Sequence, residues 1–199
     1  MYGAEGEPIS WGYCCSFSFS GKSDVLNIGS ANLSIQYRFC PQCSKDLVEG
    51  KEGTERRLKC PDSSCGFVYY DNPTPVLAAI VEHDEQIVLA RNVGWPESWY
   101  GLVTGFLEKH ESPEHGVLRE VKEELNLDGE IINMVGVYAF EKRNQLILAY
   151  HINASGEIEL NEELAAIKHI EPAELKPWPF GTGLAVRDWL VNSGYNTNV

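Results

Sequence analysis

The sequence predicts a fold of mixed helices and strands, in the α+β or mixed α/β class, preceded by a small cysteine-bearing module. Short apolar stretches of strand length are interleaved with two helical segments between residues 74 and 195. Upstream, residues 37–73 are polar and carry two cysteine pairs around a charged middle. Residues 1–36 are rich in Ser and Gly and lack a sustained period, so a loosely ordered extension is expected there.

Composition and charge exclude several classes of protein. The chain has 199 residues, 43% hydrophobic and 23% charged, which is typical of a soluble globular protein. No apolar run approaches the roughly 18 residues of a bilayer-spanning helix, so no membrane partner is expected. A formal charge of −13 disfavours a nucleic-acid partner. A polyphosphate substrate would therefore need a local positive charge, for which a bound divalent metal is the obvious source.

The N-terminus favours a cytoplasmic location. It carries acidic residues where a secretory signal would carry basic ones, and no apolar segment follows. In a reducing compartment, paired cysteines are more often metal ligands than disulfides. No role is assigned to the adjacent Cys14 and Cys15.

The remaining four cysteines have the spacing of a metal site. Two residues separate Cys40 from Cys43, and four residues separate Cys60 from Cys65. Two turns could each present two thiolates, and four sulfurs suit tetrahedral Zn²⁺. This arrangement resembles a zinc ribbon, in which the zinc would be structural because no position is left for water. Unrelated buried thiols and a disulfide are the alternatives.

The segment after the module should form a sheet flanked by helices. Apolar stretches predict a hairpin, then a loop with a short strand, three further strands and a closing helix. These elements are expected at 76–81 and 86–91, 94–105, 131–140, 145–153, 165–170 and 183–191.

One helix has clear end signals. Ser112 offers a hydroxyl N-cap, Pro113 suits the first helical position, and Glu114 places a carboxylate in the first turn. The helix should run to about Leu125, with Asn126 adopting the left-handed conformation that closes it.

That helix carries three carboxylates beside its apolar face. Glu120, Glu123 and Glu124 fall within an arc of roughly 100°, because each residue advances the helix by about 100°. The neighbouring arc is apolar and consists of Val117, Leu118, Val121 and Leu125. One interpretation is a solvated acidic face paired with Arg119 and Lys122. The other is a site for Mg²⁺ or Mn²⁺, which prefer oxygen ligands.

The spacing of these residues resembles the Nudix box, G-x5-E-x7-R-E-U-x-E-E-x-G-U. Gly105, Glu111 and the run 119–124 match it, and Leu127 stands at the closing apolar position. Asn126 replaces the box glycine, a change that a left-handed C-cap tolerates well.

The approach to the box is also informative. Val103 and Thr104 replace the common Pro-Gly, and His110 replaces the Gly usual before the first box glutamate. The run 105–108, Gly-Phe-Leu-Glu, is similar to the corresponding run of the NADH-pyrophosphatase branch.

The resemblance implies a Nudix α/β/α sandwich with a mixed sheet over residues 74–195, preceded by a small β zinc ribbon over 37–73. This arrangement is similar to that of NADH pyrophosphatases and of Nudix enzymes acting on ADP-ribose or FAD. The implied activity is metal-dependent hydrolysis of a nucleoside diphosphate linked to another moiety, with release of a mononucleotide. The implied partner is a small-molecule substrate, and a homodimer is possible.

The resemblance also assigns roles within the box. Glu120, Glu123 and Glu124 would hold catalytic Mg²⁺ or Mn²⁺. Arg119 would orient a carboxylate, and Gly105 and Glu111 would support the site. The general base is left open between a box carboxylate and a downstream loop acid, either Glu162 or Glu163, each of which could equally be a solvated loop residue.

Substrate preference is not settled by the sequence. NADH pyrophosphatases carry Ser-Gln-Pro-Trp-Pro-Phe-Pro after the box, whereas this chain has Val-Tyr-Ala-Phe-Glu at 137–141. A Pro-Trp-Pro-Phe run stands instead at 177–180, where it is expected to form a turn with Trp178 packed on the core. The alternative to an enzyme is a non-catalytic nucleotide-binding or interaction module, although the complete carboxylate trio argues against it.

Overall fold

The computed structural model describes residues 37–195. The expected N-terminal extension, with Cys14 and Cys15, lies outside the described residues. Among the helices described, none combines the length and apolarity that crossing a bilayer requires.

Residues 37–72 form one compact unit built on a three-stranded antiparallel sheet. Its strands are β1 (Val48–Glu52), β2 (Glu55–Lys59) and β3 (Val68–Tyr69). Within this unit only Cys40 and Cys60 are buried, so the sheet has almost no apolar core. A unit of this size without a core needs another source of stability, such as a bound metal.

Residues 73–195 form a second unit around a six-stranded sheet, ordered β7-β8-β4-β5-β9, with β6 also paired to β4. Its strands are β4 (Thr74–His83), β5 (Gln86–Asn92), β6 (Val103–Phe106), β7 (Asp128–Phe140), β8 (Gln145–Ser155) and β9 (Leu164–Ile170). Strands β4 and β8 are parallel, and the other pairs are antiparallel. The mixed sheet of the predicted fold class is thereby confirmed.

Two helices cover opposite faces of the sheet, α1 (Pro113–Leu125) and α2 (Gly183–Asn192). Alternate residues of β4 serve the two layers, as the period of a strand requires. Leu77 packs in the cluster that contains Val121 of α1, and Ile80 packs in the cluster that contains Trp189 of α2. Both faces of β4 are therefore buried, which explains its unbroken apolar sequence.

Both predicted ends of α1 are confirmed. The Ser112 hydroxyl accepts a hydrogen bond from the His115 N–H at 3.3 Å, and Pro113 opens the helix. Asn126 closes it with φ of 60°. This cap directs the chain from the carboxylate-bearing helix straight into β7.

Strand β7 differs from its prediction. It begins at Asp128 rather than at residue 131, and its pairing with β8 shifts between Ile131 and Asn133 and between Met134 and Gly136. An extra residue at each irregularity breaks the alternation of apolar and polar residues, which is why the pattern places the strand imprecisely.

The Pro-Trp-Pro-Phe run ends in the turn that leads into α2, and Trp178 packs against the α2-side core as expected. A side chain on Gly183 would overlap the Trp178 carbonyl, so this turn requires glycine. A Cβ on Gly181 would lie 3.6 Å from the Phe140 ring. The displaced run therefore lies beside the end of β7, although it is distant in sequence.

Candidate active site and metal centre

A cavity of about 290 Å³ lies where β6, α1 and the loop between β8 and β9 meet. Its lining includes Gly105 and Phe106 from β6, Arg119, Glu120, Glu123 and Glu124 from α1, and Asn161 and Glu163 from the loop. The structure thus brings the four box residues predicted to be catalytic into one cavity.

The Glu120 side chain occupies space that is free only because residue 105 is glycine. A Cβ built on Gly105 would overlap the Glu120 carboxylate. Gly105 pairs with Leu77 in the β6–β4 ladder, so its backbone cannot move aside without disturbing the sheet. The close approach of strand and helix at this point requires glycine.

Glu124 is the most unusual carboxylate of the site. It is only 4% exposed, and no described residue forms a hydrogen bond or ion pair with its side chain. Burial, together with the nearby Glu120, Glu163 and Glu123, raises the pKa of Glu124 to about 8. Burial also raises the pKa of Glu120 above its ordinary value, against the opposing effect of Arg119.

Arg119 joins the acids of this region through one guanidinium group. Its Nη1 donates to Glu120 at 2.8 Å and to Glu123 at 3.0 Å, and its Nη2 donates to the Phe106 carbonyl at 3.2 Å. Hydrogen bonds to Glu111 are the main cause that raises the pKa of Arg119. The side chain therefore stays charged and ties α1 to the end of β6.

Glu111 lies behind this guanidinium rather than in the cavity lining. It accepts from Arg119 Nε at 2.9 Å and from Nη2 at 3.1 Å, a bidentate pair that lowers the pKa of Glu111. A Cβ on Gly116 would lie 2.7 Å from the same carboxylate. Glu111 thus contacts the residue that orients the other acids.

The loop between β8 and β9 places only one of the two candidate acids in the cavity. Glu163 is half-buried and lines the cavity, whereas Glu162 is exposed and is absent from the lining. Glu163 also acts electrostatically on Glu120 and Glu124, which shows their proximity. Sequence reasoning did not single out Asn161, and the Asn-x-Glu spacing of a side-chain-capped turn was the signal available for it.

The donor set fits a hard divalent cation. The acids Glu120, Glu123, Glu124 and Glu163 all line the cavity, and Arg119 pairs with the first two of them. Arg119 neutralises at most part of this charge, and the buried Glu124 carboxylate lacks any partner among the described residues. Oxygen donors of this kind, facing one polar cavity, suit Mg²⁺ or Mn²⁺.

The four cysteines of the first unit also converge. Their sulfur atoms all lie within 4.8 Å of one another, with 3.6 Å between Cys40 and Cys65 and 3.4 Å between Cys43 and Cys60. A tetrahedral zinc with Zn–S bonds of about 2.3 Å has edges of about 3.8 Å, close to these separations. No disulfide joins these four cysteines.

Local turns hold the cysteines in place. The Cys40 carbonyl accepts from the Ser44 N–H at 2.8 Å, and the Cys65 N–H donates to the Asp62 carbonyl at 3.0 Å. The Lys45 ammonium group lies 2.6 Å from Asp62 and joins the two turns. The turn at Asp62 contains the four residues that separate Cys60 from Cys65.

The environment of the sulfur atoms favours ionisation of Cys40. Burial opposes this, but the N–H groups of Gln42 and Cys43 help to lower the pKa of Cys40 to about 7. At Cys65 the Phe67 N–H acts in the same direction, yet burial and the neighbouring sulfur atoms raise the pKa to about 12. Without a cation, thiolates this close together cannot all form.

Comparison with known proteins identifies the family. The NUDIX domain model matches residues 72–187, and the chain therefore belongs to the Nudix family of hydrolases. It is similar to the NAD-capped RNA hydrolase NudC of Pseudomonas putida KT2440, at 27% identity over 88% of this chain and 65% of that protein. The NudC protein of Stutzerimonas stutzeri is 31% identical over 62% of this chain and 44% of its own. The chain thus spans less than two thirds of the length of these relatives.

Solved structures are similar in fold. The NUDIX hydrolase of Nitrosomonas europaea aligns with a TM-score of 0.66 and 23% identity, covering 81% of this chain and 96% of that one. An ADP-ribose pyrophosphatase from Streptococcus suis aligns with a TM-score of 0.52 and 22% identity, covering 61% and 91%. At these identities the likeness concerns the fold alone.

Proposed function

We propose that the protein is a metal-dependent Nudix pyrophosphohydrolase that cleaves the diphosphate of a nucleoside diphosphate linked to another moiety and releases a mononucleotide. The observation that carries this proposal is the buried Glu124 carboxylate, unpaired among the described residues, within a cavity lined by other acids. Such a group is costly in a structural role and is readily explained by a cation that binds beside it.

Each box residue receives a role from its surroundings. Glu120, Glu123 and Glu124 hold Mg²⁺ or Mn²⁺, which when bound would neutralise the diphosphate oxygens and lower the pKa of a coordinated water. Arg119 holds the first two of these acids in place and does not touch the substrate.

We assign the general base to Glu163. It lines the cavity that contains the three box glutamates, whereas Glu162 points to solvent-exposed surface. From this position its carboxylate accepts the proton of the attacking water. Replacing Glu163 by Gln should therefore lower kcat about 100-fold, and replacing Glu162 should leave it within twofold.

The substrate is proposed to be a dinucleotide of the ADP-ribose, FAD or NADH type. The name of the NudC relatives adds a second candidate, the NAD-capped 5′ end of an RNA. The net charge of −13 favours the small molecule, because a long polyanion would be repelled by most of the surface.

Turnover of a substrate panel tests these proposals. The protein is incubated with Mg²⁺ and ADP-ribose, FAD, NADH or NAD-capped RNA, and release of the mononucleotide or of the decapped 5′ end is followed. Glu123→Gln should lower the rate at least about 100-fold, whereas the exposed Glu130→Gln, which removes the same charge, should not. Equal measurable rates for wild type and Glu123→Gln would contradict the assigned metal chemistry, and no turnover of any substrate would favour the non-catalytic module instead.

We further propose that Cys40, Cys43, Cys60 and Cys65 bind a structural Zn²⁺ in a ribbon over residues 37–73, followed by the Nudix domain over 74–195. The converging sulfur atoms and the nearly coreless sheet support this division. The proposed site of action is the cytoplasm. Metal analysis after native purification should find about one zinc per chain, and a ratio near zero would contradict the ribbon.

A further inference from the structure

We infer that Asn161 is a positioning residue, whose side chain fixes the Glu163 carboxylate over the acids of α1. This inference rests on the function proposed above, because it concerns the same site and the same reaction. It is carried by four hydrogen bonds in the loop between β8 and β9.

The backbone of Glu163 is held on both sides. Its N–H donates to the Asn161 side-chain oxygen Oδ1 at 3.0 Å, and its carbonyl accepts from the Val93 N–H at 2.8 Å. The Cα of Glu163 is therefore held between Val93, which follows β5, and the Asn161 side chain. Because the backbone is held in this way, the Glu163 side chain starts from a fixed point at the cavity.

The same loop is joined to the last turn of α1. The N–H of Glu159 donates to the Leu125 carbonyl at 3.1 Å, and the N–H of Asn161 donates to the Glu124 carbonyl at 3.4 Å. Carbonyls in the last turn of a helix have no partner within the helix, so these bonds also complete its end. Asn161 thus contacts the helix through its backbone and Glu163 through its side chain.

The turn around Asn161 also explains why the two adjacent acids behave differently. An asparagine side chain that accepts from the N–H two residues later forms a tight turn. In this turn Glu163 lines the cavity and the intervening Glu162 is exposed. Loss of the Asn161 acceptor should release the Glu163 backbone on one side and leave the fold of β9 intact.

Kinetics of Asn161 variants test the inference. Asn161→Ala should lower kcat about 10- to 100-fold with KM within threefold, because a base displaced by about 1 Å acts poorly while binding persists. Asn161→Ser keeps a hydroxyl acceptor and should recover most of the lost kcat. In a Glu163→Gln background, Asn161→Ala should lower kcat by no more than about twofold, since its effect passes through Glu163.

A merely structural role predicts a different pattern. It would give equal effects of Asn161→Ala with and without Glu163, or no recovery in Asn161→Ser, and either result would overturn the inference. The inference would also be overturned if Asn161→Ala had an unchanged kcat while Glu163→Gln had a reduced kcat. The wild type compared with Glu123→Gln in the same assay tests the proposed function separately. An inactive wild type rejects the function and equal measurable rates reject its metal chemistry, whereas an active wild type with an impaired Glu123→Gln and an unaffected Asn161→Ala rejects only the role of Asn161.

Discussion

Two glutamate side chains in the cavity, Glu120 and Glu124, lie where burial destabilises their charged forms. Glu124 is a glutamate buried beside other glutamates, and its pKa of about 8 lies well above its ordinary value of 4.5. Between these two pH values the folded protein keeps a proton that the unfolded chain releases. The free energy of unfolding of the metal-free protein therefore falls as pH rises through this window, and the decline ends above pH 8.

The effect of Glu124→Gln on thermal stability should change sign when metal is added. Gln is neutral at every pH, so in EDTA the variant should melt above the wild type by roughly 5 °C at pH 8.5 and by less at pH 6. In saturating Mg²⁺ the wild type should gain stability and the variant should gain little. Thermal melts at both pH values check this, and a variant that is less stable in EDTA at pH 8.5 would contradict the account.

A substitution at Gly105 tests whether the position of the Glu120 carboxylate is critical. Gly105→Ala places a methyl group on the Glu120 carboxylate and should lower kcat/KM roughly 100-fold while the protein stays folded. Gly101→Ala is the matched control, because its new Cβ would meet only the Trp95 ring, at 3.5 Å. Equal activity of the two variants would show that the position of Glu120 is not critical.

The helix α1 shows what local sequence can and cannot predict. Its two ends follow from Ser112 and Asn126, because capping depends on residues within one turn. The burial of Glu124 could not be predicted, since it depends on a loop about 40 residues downstream. The contact of Gly105 with Glu120 likewise joins a strand to a helix, which no periodic pattern records.

The left-handed cap of α1 should tolerate few residues. Asn126→Gly should change the free energy of unfolding by less than about 1 kcal/mol, whereas Asn126→Val should lower it by about 1–2 kcal/mol, because a β-branched residue is strained at φ of 60°. Urea denaturation measures both changes. A Val variant as stable as the wild type would argue against the assigned cap geometry.

At the scale of the whole molecule, the two units depend on different sources of stability. The second unit has two apolar clusters, whereas the first buries only Cys40 and Cys60 among its described residues. The cysteine spacing was enough to predict that the four sulfur atoms converge. The resemblance to a zinc ribbon predicted the β character of the first unit, which its antiparallel sheet confirms, but the bounds of its strands were not predicted because charged residues dominate their short sequences.

Zinc removal should accordingly affect one unit only. Chelation should abolish the dispersed amide signals of residues 37–72 and leave those of the β-sheet in residues 73–195. Two-dimensional NMR before and after chelation checks this, with re-addition of zinc as the control. Persistence of all signals in zinc-free protein would contradict the proposed structural role of the metal.

Calorimetric titration of the protein with Mg²⁺ and Mn²⁺ tests the central claim most directly. The wild type should take up the cation in a saturable manner, with or without a nonhydrolysable dinucleotide, and the Glu120→Gln/Glu123→Gln variant should lose that binding. If the wild type takes up neither cation under any of these conditions, the acids of α1 do not form a metal site and the proposed chemistry is wrong.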